Sequence, residues 1–520
     1  MKKTHKKLIS TGLTCTALFG FIGCSDMLSK FDSIYWNTTY TVRHLFQELN
    51  RDGDAVAEGR YAEDTYERET LPNPVPNTLS EAKAKEIPGF TPQPFEQVIV
   101  NGDGSTTVDI YYDRNPVTLT FDPNGGYFVD SKTSQRSENS IEITQVYGTT
   151  VSFRNPKFEG SDTSLSIDFY NWVPVDTATT LKTTGGDFIS FPIPSTSGKY
   201  RALWDFSTSV GNISNALSTM PASGGKLTLT GEANSADFSR IATSITNLEN
   251  NPDKKIELDL RKLEIAEDEK IKIELFNATI RNNLALTKVE LPVTGEISLG
   301  ENALKMCSNL EYISIGKNVQ IADTNPFWGC YKVEFDVASD HPTLVASKDK
   351  RILLKRPQND EEGYTLVSYP SATGVVDLGA LGYPITTIGK EALAFIPKGE
   401  TTIIFPESVK IIKESAVSQD TLVQKGTDDD NESPIVNKLT VIMEGKTPPT
   451  LRTDEPGPYK GGATFYSGNA PSDPPSKYIV RSETRIYVPE GSVETYKKTA
   501  GWDKYEIASI PSQTTIPNKH

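Results

Sequence analysis

One spacing constrains this chain more than any other feature. Leu286-x-x-Val289-x-Leu291 returns as Leu310-x-x-Ile313-x-Ile315, 24 residues later and in the same phase. Cys330-x-x-Val333-x-Phe335, the pair Ile403/Phe405 and Val436-x-x-Leu439-x-Val441 continue the pattern. A second mark travels with it. "LGENAL" (299–304) is echoed by "IGKEAL" (388–393), Leu304 and Phe327 stand 23 apart, and Leu393 and Val417 stand 24 apart. A strand showing alternate residues inward, then a returning segment packed on the other side, accounts for both marks. Self-similarity at this period requires a solenoid, in which each unit buries its apolar face only against its neighbours.

Open ends of such an array need covers. Residues 206–255 read as the N-terminal cap: "STSVGNISNAL" and "SADFSRIATSITNL" carry apolar residues at helical spacing around the strand "GKLTLTGE". At the other end, "IYVPEGSVETYKKTAGWDKY" (486–505) breaks a strand at Pro489 and Gly491, offers Ser492 as a helix cap and stops at Gly501. Val493, Tyr496, Lys497 and Ala500 predict one docking stripe, with Trp502 completing a lid. This tail, with "ENALKMCSNLEYISIG", "NPFWGCYKVEF", "GYTLVSYPSATGVVDLG" and "ITTIGKEALAF", resembles the BspA-like leucine-rich-repeat surface proteins. The resemblance implies a leucine-rich-repeat solenoid over 256–512, with a parallel β-sheet on one face, irregular or short helical returns, and irregular repeats at 336–385 and 418–480.

Two small modules precede it, and the fold class is multidomain and mainly β. Over 38–115, "YTVRHLFQEL" (40–49), the "GF" at 89–90 and the closing "IYYDRN" (110–115) resemble a mucin-binding-type β-grasp module. Over 116–205, "VTLTFDPNGGYF", "VYGTTVSFRNP", "FYNW" and "YRALW" occur in the order of an internalin-type B-repeat, another small β-grasp fold. That resemblance implies Trp172 and Trp204 as core residues.

Residues 1–23 combine a basic "MKKTHKK" with an apolar "LISTGLTCTALFGFIG", the layout of a secretory signal. The ending "FIGCSD" resembles a bacterial lipobox, which implies lipid attachment at Cys24, a tether over 24–37 and anchorage without a membrane span. Residues 513–520 form a tail. A net charge of −15 and a pI near 5.0 exclude nucleic acid, since no basic surplus exists to neutralise phosphates.

Candidate chemistry is sparse. Cys307 and Cys330 stand 23 apart in one phase, and the question is whether they are nucleophiles, metal ligands, a disulfide or small apolar rungs. Beyond the signal only His44, His341 and His520 remain, in no order resembling a Cys–His motif, so neither catalysis nor a zinc site is expected. Free cysteine packs as a small hydrophobe, and two buried reduced thiols are expected. The acidic "KGTDDDNESP" (425–434) lacks the glycine-fixed spacing of a calcium loop, and "NGDGSTT" (101–107) reads as a hairpin turn. No cofactor is expected.

The repeat geometry instead makes one surface continuous, the outward strand positions Lys288, Glu290, Tyr312, Ser314, Glu334, Thr402, Ile404, Lys438 and Thr440. The expectation is a non-enzymatic, lipid-anchored protein of the bacterial envelope, outer membrane or cell surface. The resemblance implies attachment to host extracellular-matrix proteins, mucin-type glycans or other bacterial surfaces. The competing reading is an envelope lipoprotein that faces the periplasm and organises partners without host contact.

Overall fold

A computed structural model describes residues 39–62, 69–72, 77–160, 162–177, 179–181, 187–251, 253–266, 270–273, 284–301, 303–321, 324–359, 362–394, 400–414, 416–419, 438–451, 465–467 and 483–511. The signal segment, the whole tether with Cys24, the acidic 425–434 stretch and the 513–520 tail lie outside the described residues. The structure is mainly β, with several sheets. No helix among the described residues is long and apolar enough to cross a membrane. Two units are distinguished: residues up to Lys157 with Asn171–Ala202, and Phe158–Tyr170 with residues from Leu203 onward.

In the first unit, strand Thr39–Leu49 alternates inward Tyr40 and Val42 with outward Thr41 and Arg43. It runs parallel to Thr107–Arg114, with Val42 opposite Val108 and His44 opposite Ile110. It also runs antiparallel to Val56–Ala62 and Glu69–Pro72. Among the described residues this unit has no helix. The segment 77–100 sends Ala82, Val100 and Phe95 into the core without forming a helix. Further on, Pro116–Asp122 pairs antiparallel with Ile141–Val146, and Gly198–Arg201 lies parallel to Leu119–Asp122. The expected turn after "VTLTF" is present. Asn124 (φ 50°) and Gly125 (φ 81°) adopt the left-handed backbone that it requires. Trp172 is fully buried, with its ring 4.9 Å from Phe121 and 6.2 Å from Phe153. The stretches 38–115 and 116–157 form one packed body: Phe90 meets Tyr147 edge to face at 5.4 Å, and Arg114 donates to the Tyr147 carbonyl at 2.9 Å.

Trp204 does not share that core. It belongs to the second unit, against Phe158 (5.2 Å) and Phe169 (5.9 Å). The reason is that strand Gly198–Ser209 runs for 12 residues without a break, burying Tyr200, Ala202, Trp204 and Phe206 in alternation, and the division falls inside it.

In the second unit the expected cap is part of the ladder itself. Asp205–Ser209 pairs parallel with Gly224–Glu232, then follow Lys255–Glu264, Leu286–Glu290, Tyr312–Ile315 and Glu334–Val337. Helices α1 (Ile213–Thr219) and α2 (Ser235–Thr246) make the first two returns. Asn234 and Asp237 form a capping box at the start of α2, and Phe238, Ile241 and Ile245 give it a buried face.

From residue 270 the returns are strands, not helices. Lys270–Ile273, Glu296–Leu299 and Val319–Ile321 form their own parallel sheet. Their sequences KIKI, EISL and VQI alternate with period two, and each buries its apolar positions. The turns between faces also repeat. Met306 (φ 62°) and Gly329 (φ 81°) occupy matching left-handed positions, and the Met306 amide donates to the Trp328 carbonyl at 2.6 Å.

The 336–385 irregularity has a structural form. Leu344–Ala346, Leu353–Lys355 and Tyr364–Ser368 pair antiparallel, so the Glu334–Val337 ladder ends there. Parallel stacking then resumes on three faces. One face carries Val375–Asp377, Glu400–Phe405, Lys438–Met443, Glu483–Val488 and Ile507–Ser509. A second carries Ile385–Ile388, Ile411–Ile412 and Thr450–Leu451, and a third Leu393–Ala394, Val417–Gln419 and Phe465–Ser467. The 24-residue pair Leu393/Val417 is in direct register.

The frame read from the repeats is corrected at two places. Phe335 lies opposite Ile313 and not Ile315, and Phe405 lies opposite Met443 and not Val441. Both slips are of two residues, which preserves the inward face because strand periodicity is two.

The terminal lid is smaller than the stripe implied. Helix α3 covers only Val493–Lys498, Ser492 makes no side-chain cap hydrogen bond, and Lys497 and Ala500 are exposed. Tyr496 and Trp502 carry the docking. Both are fully buried, the Tyr496 hydroxyl donates to the Gly445 carbonyl (2.7 Å), and Trp502 Nε1 donates to the Pro449 carbonyl (2.8 Å).

Candidate functional site

The nine outward positions fall into two groups. Lys288, Glu290, Tyr312, Ser314 and Glu334 share the ladder that starts at Asp205, and Thr402, Ile404, Lys438 and Thr440 share the C-terminal ladder. The surface is therefore two faces in two sheets rather than one continuous strip.

On the first face, register builds two rows across six strands. Asp205, Lys226, Glu257, Lys288, Tyr312 and Glu334 stand successively opposite one another, in nearly alternating charge. The second row is Ser207, Thr228, Asp259, Glu290, Ser314 and Asp336. Cross-strand neighbours on one face are close enough for such pairs to interact. The rows are knitted together. Lys226 lies 3.2 Å from both Asp205 and Asp259 and 4.4 Å from the Tyr170 ring centre. Arg261 grips Asp259 with Nε at 3.0 Å and Nη2 at 2.7 Å, and reaches Glu290 at 2.7 Å. Lys288 meets Glu290 at 3.2 Å and lies over Tyr312 at 4.9 Å. Tyr312 donates to Asp336 (2.7 Å), Lys350 pairs with Asp336 (2.5 Å), Arg351 pairs with Glu334 (3.0 Å), and the Leu291 amide donates to Ser314 Oγ (3.2 Å).

Two carboxylates on one strand show what this lattice does. Burial disfavours the charge of Asp259, which is 2% exposed. Hydrogen bonds from the Arg261 side chain and backbone and from Lys226 outweigh that and hold its carboxyl well below the usual range. Glu257 lacks such direct donors, and burial raises it despite Lys288 and Lys226 nearby. The Asp259 bonds also raise Arg261. Burial, followed by the bond to Asp336, pushes the Tyr312 phenol up.

The second face differs. Thr402 stands opposite Thr440, and Thr440 opposite Arg485. Beside them Ile404 faces Ile442, and Ile442 faces Tyr487. Ile404 has outward parity but is only 1% exposed, and Ile442 is 6% exposed, so Ile404 is corrected from a contact residue to a covered one. Its neighbours Ile403 and Phe405 take the interior. The backbone of Lys438 pairs opposite Glu400, and its side chain lies outside the described residues. An open groove of about 540 Å³ adjoins this face, lined by Arg485, Tyr487, Lys497, Tyr505 and Glu506 among others.

Cys307 and Cys330 occupy matching turns as buried thiols, 1% and 0% exposed. Cys330 Sγ donates to the Leu304 carbonyl at 2.9 Å, and burial raises its thiol well above the ordinary value. A thiol so placed is a poor nucleophile. Among the described residues, no group of three His, Cys, Asp or Glu side chains is placed to hold a metal.

Sequence reasoning missed Asp205, Lys226, Asp259, Arg261 and Asp336. The signal was present in the alternation of "GKLTLTGE" and "KIELDL", whose polar positions continue the rows once those strands are ladder members. No family model, curated protein or solved structure matches this chain.

Proposed function

We propose that this chain is a lipid-anchored protein of the bacterial envelope that binds partners through the outer faces of a BspA-like leucine-rich-repeat solenoid and catalyses no reaction. Cys24 holds it to the membrane, and the 38–205 region spaces the solenoid from the bilayer. Partners in this reading are host matrix proteins, mucin-type glycans or other bacterial surfaces. The observation that supports it is the pair of register-locked outer faces, which differ in how far their side chains are already engaged. The first face is tied up in its own ion pairs, and a ligand there would have to replace them at the cost of desolvating charges. The C-terminal face offers Thr402, Thr440 and Tyr487 next to an open groove. Binding therefore belongs to the C-terminal face.

The test is binding of the full chain to glycan and matrix-protein arrays, with T402D/T440D compared against K288A. Loss of captured signal with the threonine pair but not with Lys288→Ala supports the reading. Loss with Lys288→Ala alone places binding on the first face. Protease shaving of intact cells separates display from a periplasmic location, and a chain that stays protected overturns display.

A further inference from the structure

Where the first set of ladders stops, two sheet edges face a gap in the stacking. Val319–Ile321 is the last strand of its three-stranded sheet, and Leu344–Ala346 is the first strand of the next, six-stranded sheet. Among the described residues backbone pairing does not join these edges, and the His341 side chain bridges them. His341, 3% exposed, lies within 2.9 Å of the Val319 carbonyl through Nε2. Its Nδ1 accepts the backbone N–H groups of Thr343 (3.2 Å) and Leu344 (2.9 Å). These partners admit one protonation state: Nε2 carries the hydrogen and Nδ1 is bare. The imidazole thus acts as an inserted rung, a donor to one edge and an acceptor from the other.

We propose that His341 is a proton-gated splice between these two sheet edges, closed when the ring is neutral and opened by its protonation. A proton on Nδ1 removes the only acceptor that the ring offers to Thr343 and Leu344, and it points a new N–H at two existing ones. Buried amides without acceptors, together with a buried cation, favour the open edge. The charged groups around the ring do not offset this. Asp340, on the same turn, is an exposed side chain that lies 4.0 Å from Lys317, the residue leading into the Val319 strand. Arg356, which follows strand Leu353–Lys355 and whose amide donates to the Thr343 carbonyl at 2.7 Å, opposes a second positive charge. Burial acts in the same direction and lowers the ring's proton affinity below that of a free histidine. The sign follows. The open state binds the proton more tightly, so closure is complete above the ordinary histidine pKa and weakens as pH falls below it. Acidification would loosen the contact between the Val319 and Leu344 edges, while the Phe335 amide to Lys350 carbonyl bond and the Lys350–Asp336 and Arg351–Glu334 pairs persist.

The test is hydrogen exchange of the full chain, read at peptides covering 339–346 and corrected for intrinsic rate, at pH 7.5 and 5.0. Taking about 6.5 for the open-state histidine, protection at pH 5.0 should fall by up to about thirty-fold. Peptides from 286–299 should show no comparable loss. His341→Gln keeps a donor and an acceptor but cannot titrate, and its protection should not change between the two pH values. A titration of the imidazole nitrogens in the unaltered chain gives an independent reading. Nδ1 should remain the unprotonated nitrogen at pH 7.5 and gain its proton as protection is lost. Unchanged protection at pH 5.0, or an equal pH-dependent loss in His341→Gln, overturns the proposal.

Discussion

The two outer faces of the second unit are built on the same parallel backbone and finished in opposite ways. From Asp205 to Asp336 the outward side chains are mostly charged and largely bonded to each other, with Lys226, Asp259 and Glu290 all under a tenth exposed. From Thr402 to Tyr487 the described outward side chains are uncharged except for Arg485, and the ladder is closed by Tyr496 and Trp502 packed against its last strands. Stacked strands of fixed register thus leave the inward face little choice and the outward face much. One outer face is spent on a brace, and the other remains a surface.

The sharpest way to break this contrast is to remove the centre of the brace. Asp259→Ala takes the shared partner from Arg261 and Lys226, which keep Glu290 and Asp205, so the cost is about 3 kcal/mol, the lower end for a broken buried pair. The loss should show as faster hydrogen exchange across 224–290, with 400–443 unaffected. Equal loss in both ladders would mean that the lattice does not belong to the first face. Next in size is Trp502→Phe, which keeps an aromatic ring, though a smaller one, but leaves the buried Pro449 carbonyl without its donor, at about 1–3 kcal/mol. Here protection should fall in 438–451 and 483–509 only.

The neighbouring Glu257 provides a change of opposite sign. Its proton affinity is raised by burial, so its charge opposes folding at neutral pH, and this penalty disappears as pH falls through the raised value. Asp259 behaves in reverse. Its contribution is complete above the ordinary aspartate range and is lost only as pH falls below it. Glu257→Gln should therefore be neutral or mildly stabilising at pH 7, where Asp259→Asn destabilises. Denaturation of both variants across pH 3–7 checks the pair, and parallel curves would show that the two carboxylates share one environment. The smallest effect belongs to Lys350→Ala, an exposed partner of Asp336 at the rim, for which no resolvable change in stability is expected.

Much of this was legible in the sequence, and the omissions have physical causes. Leu393/Val417, the buried phase of Cys307 and Cys330, and the burial of Trp502 follow from apolar spacing, which reports what each coil must hide. The lattice did not, because ion pairs depend on which residues stand opposite one another. A frame slipped by two residues still hides the right side chains but names the wrong partners. The helical returns at Ile213–Thr219 and Ser235–Thr246 also made the first strands look like a separate cover. Lys226 and Asp259 were thereby excluded from the face they organise. Ile404 shows the converse limit, since strand parity gives a direction and not an exposure.

The division of the two faces is tested most directly by a pair of double-mutant cycles, read as opening free energies from native-state hydrogen exchange. One cycle couples Lys226 with Asp259, and the other couples Thr402 with Thr440. Directly contacting, networked residues couple by about 0.5–3 kcal/mol, whereas independent ones add to within about 0.3–0.5. The account requires a coupling above about 1 kcal/mol for Lys226–Asp259 and a clearly smaller one for Thr402–Thr440, since a directly opposed threonine pair contributes only about 0.2–1 kcal/mol. Equal couplings in the two cycles would contradict it.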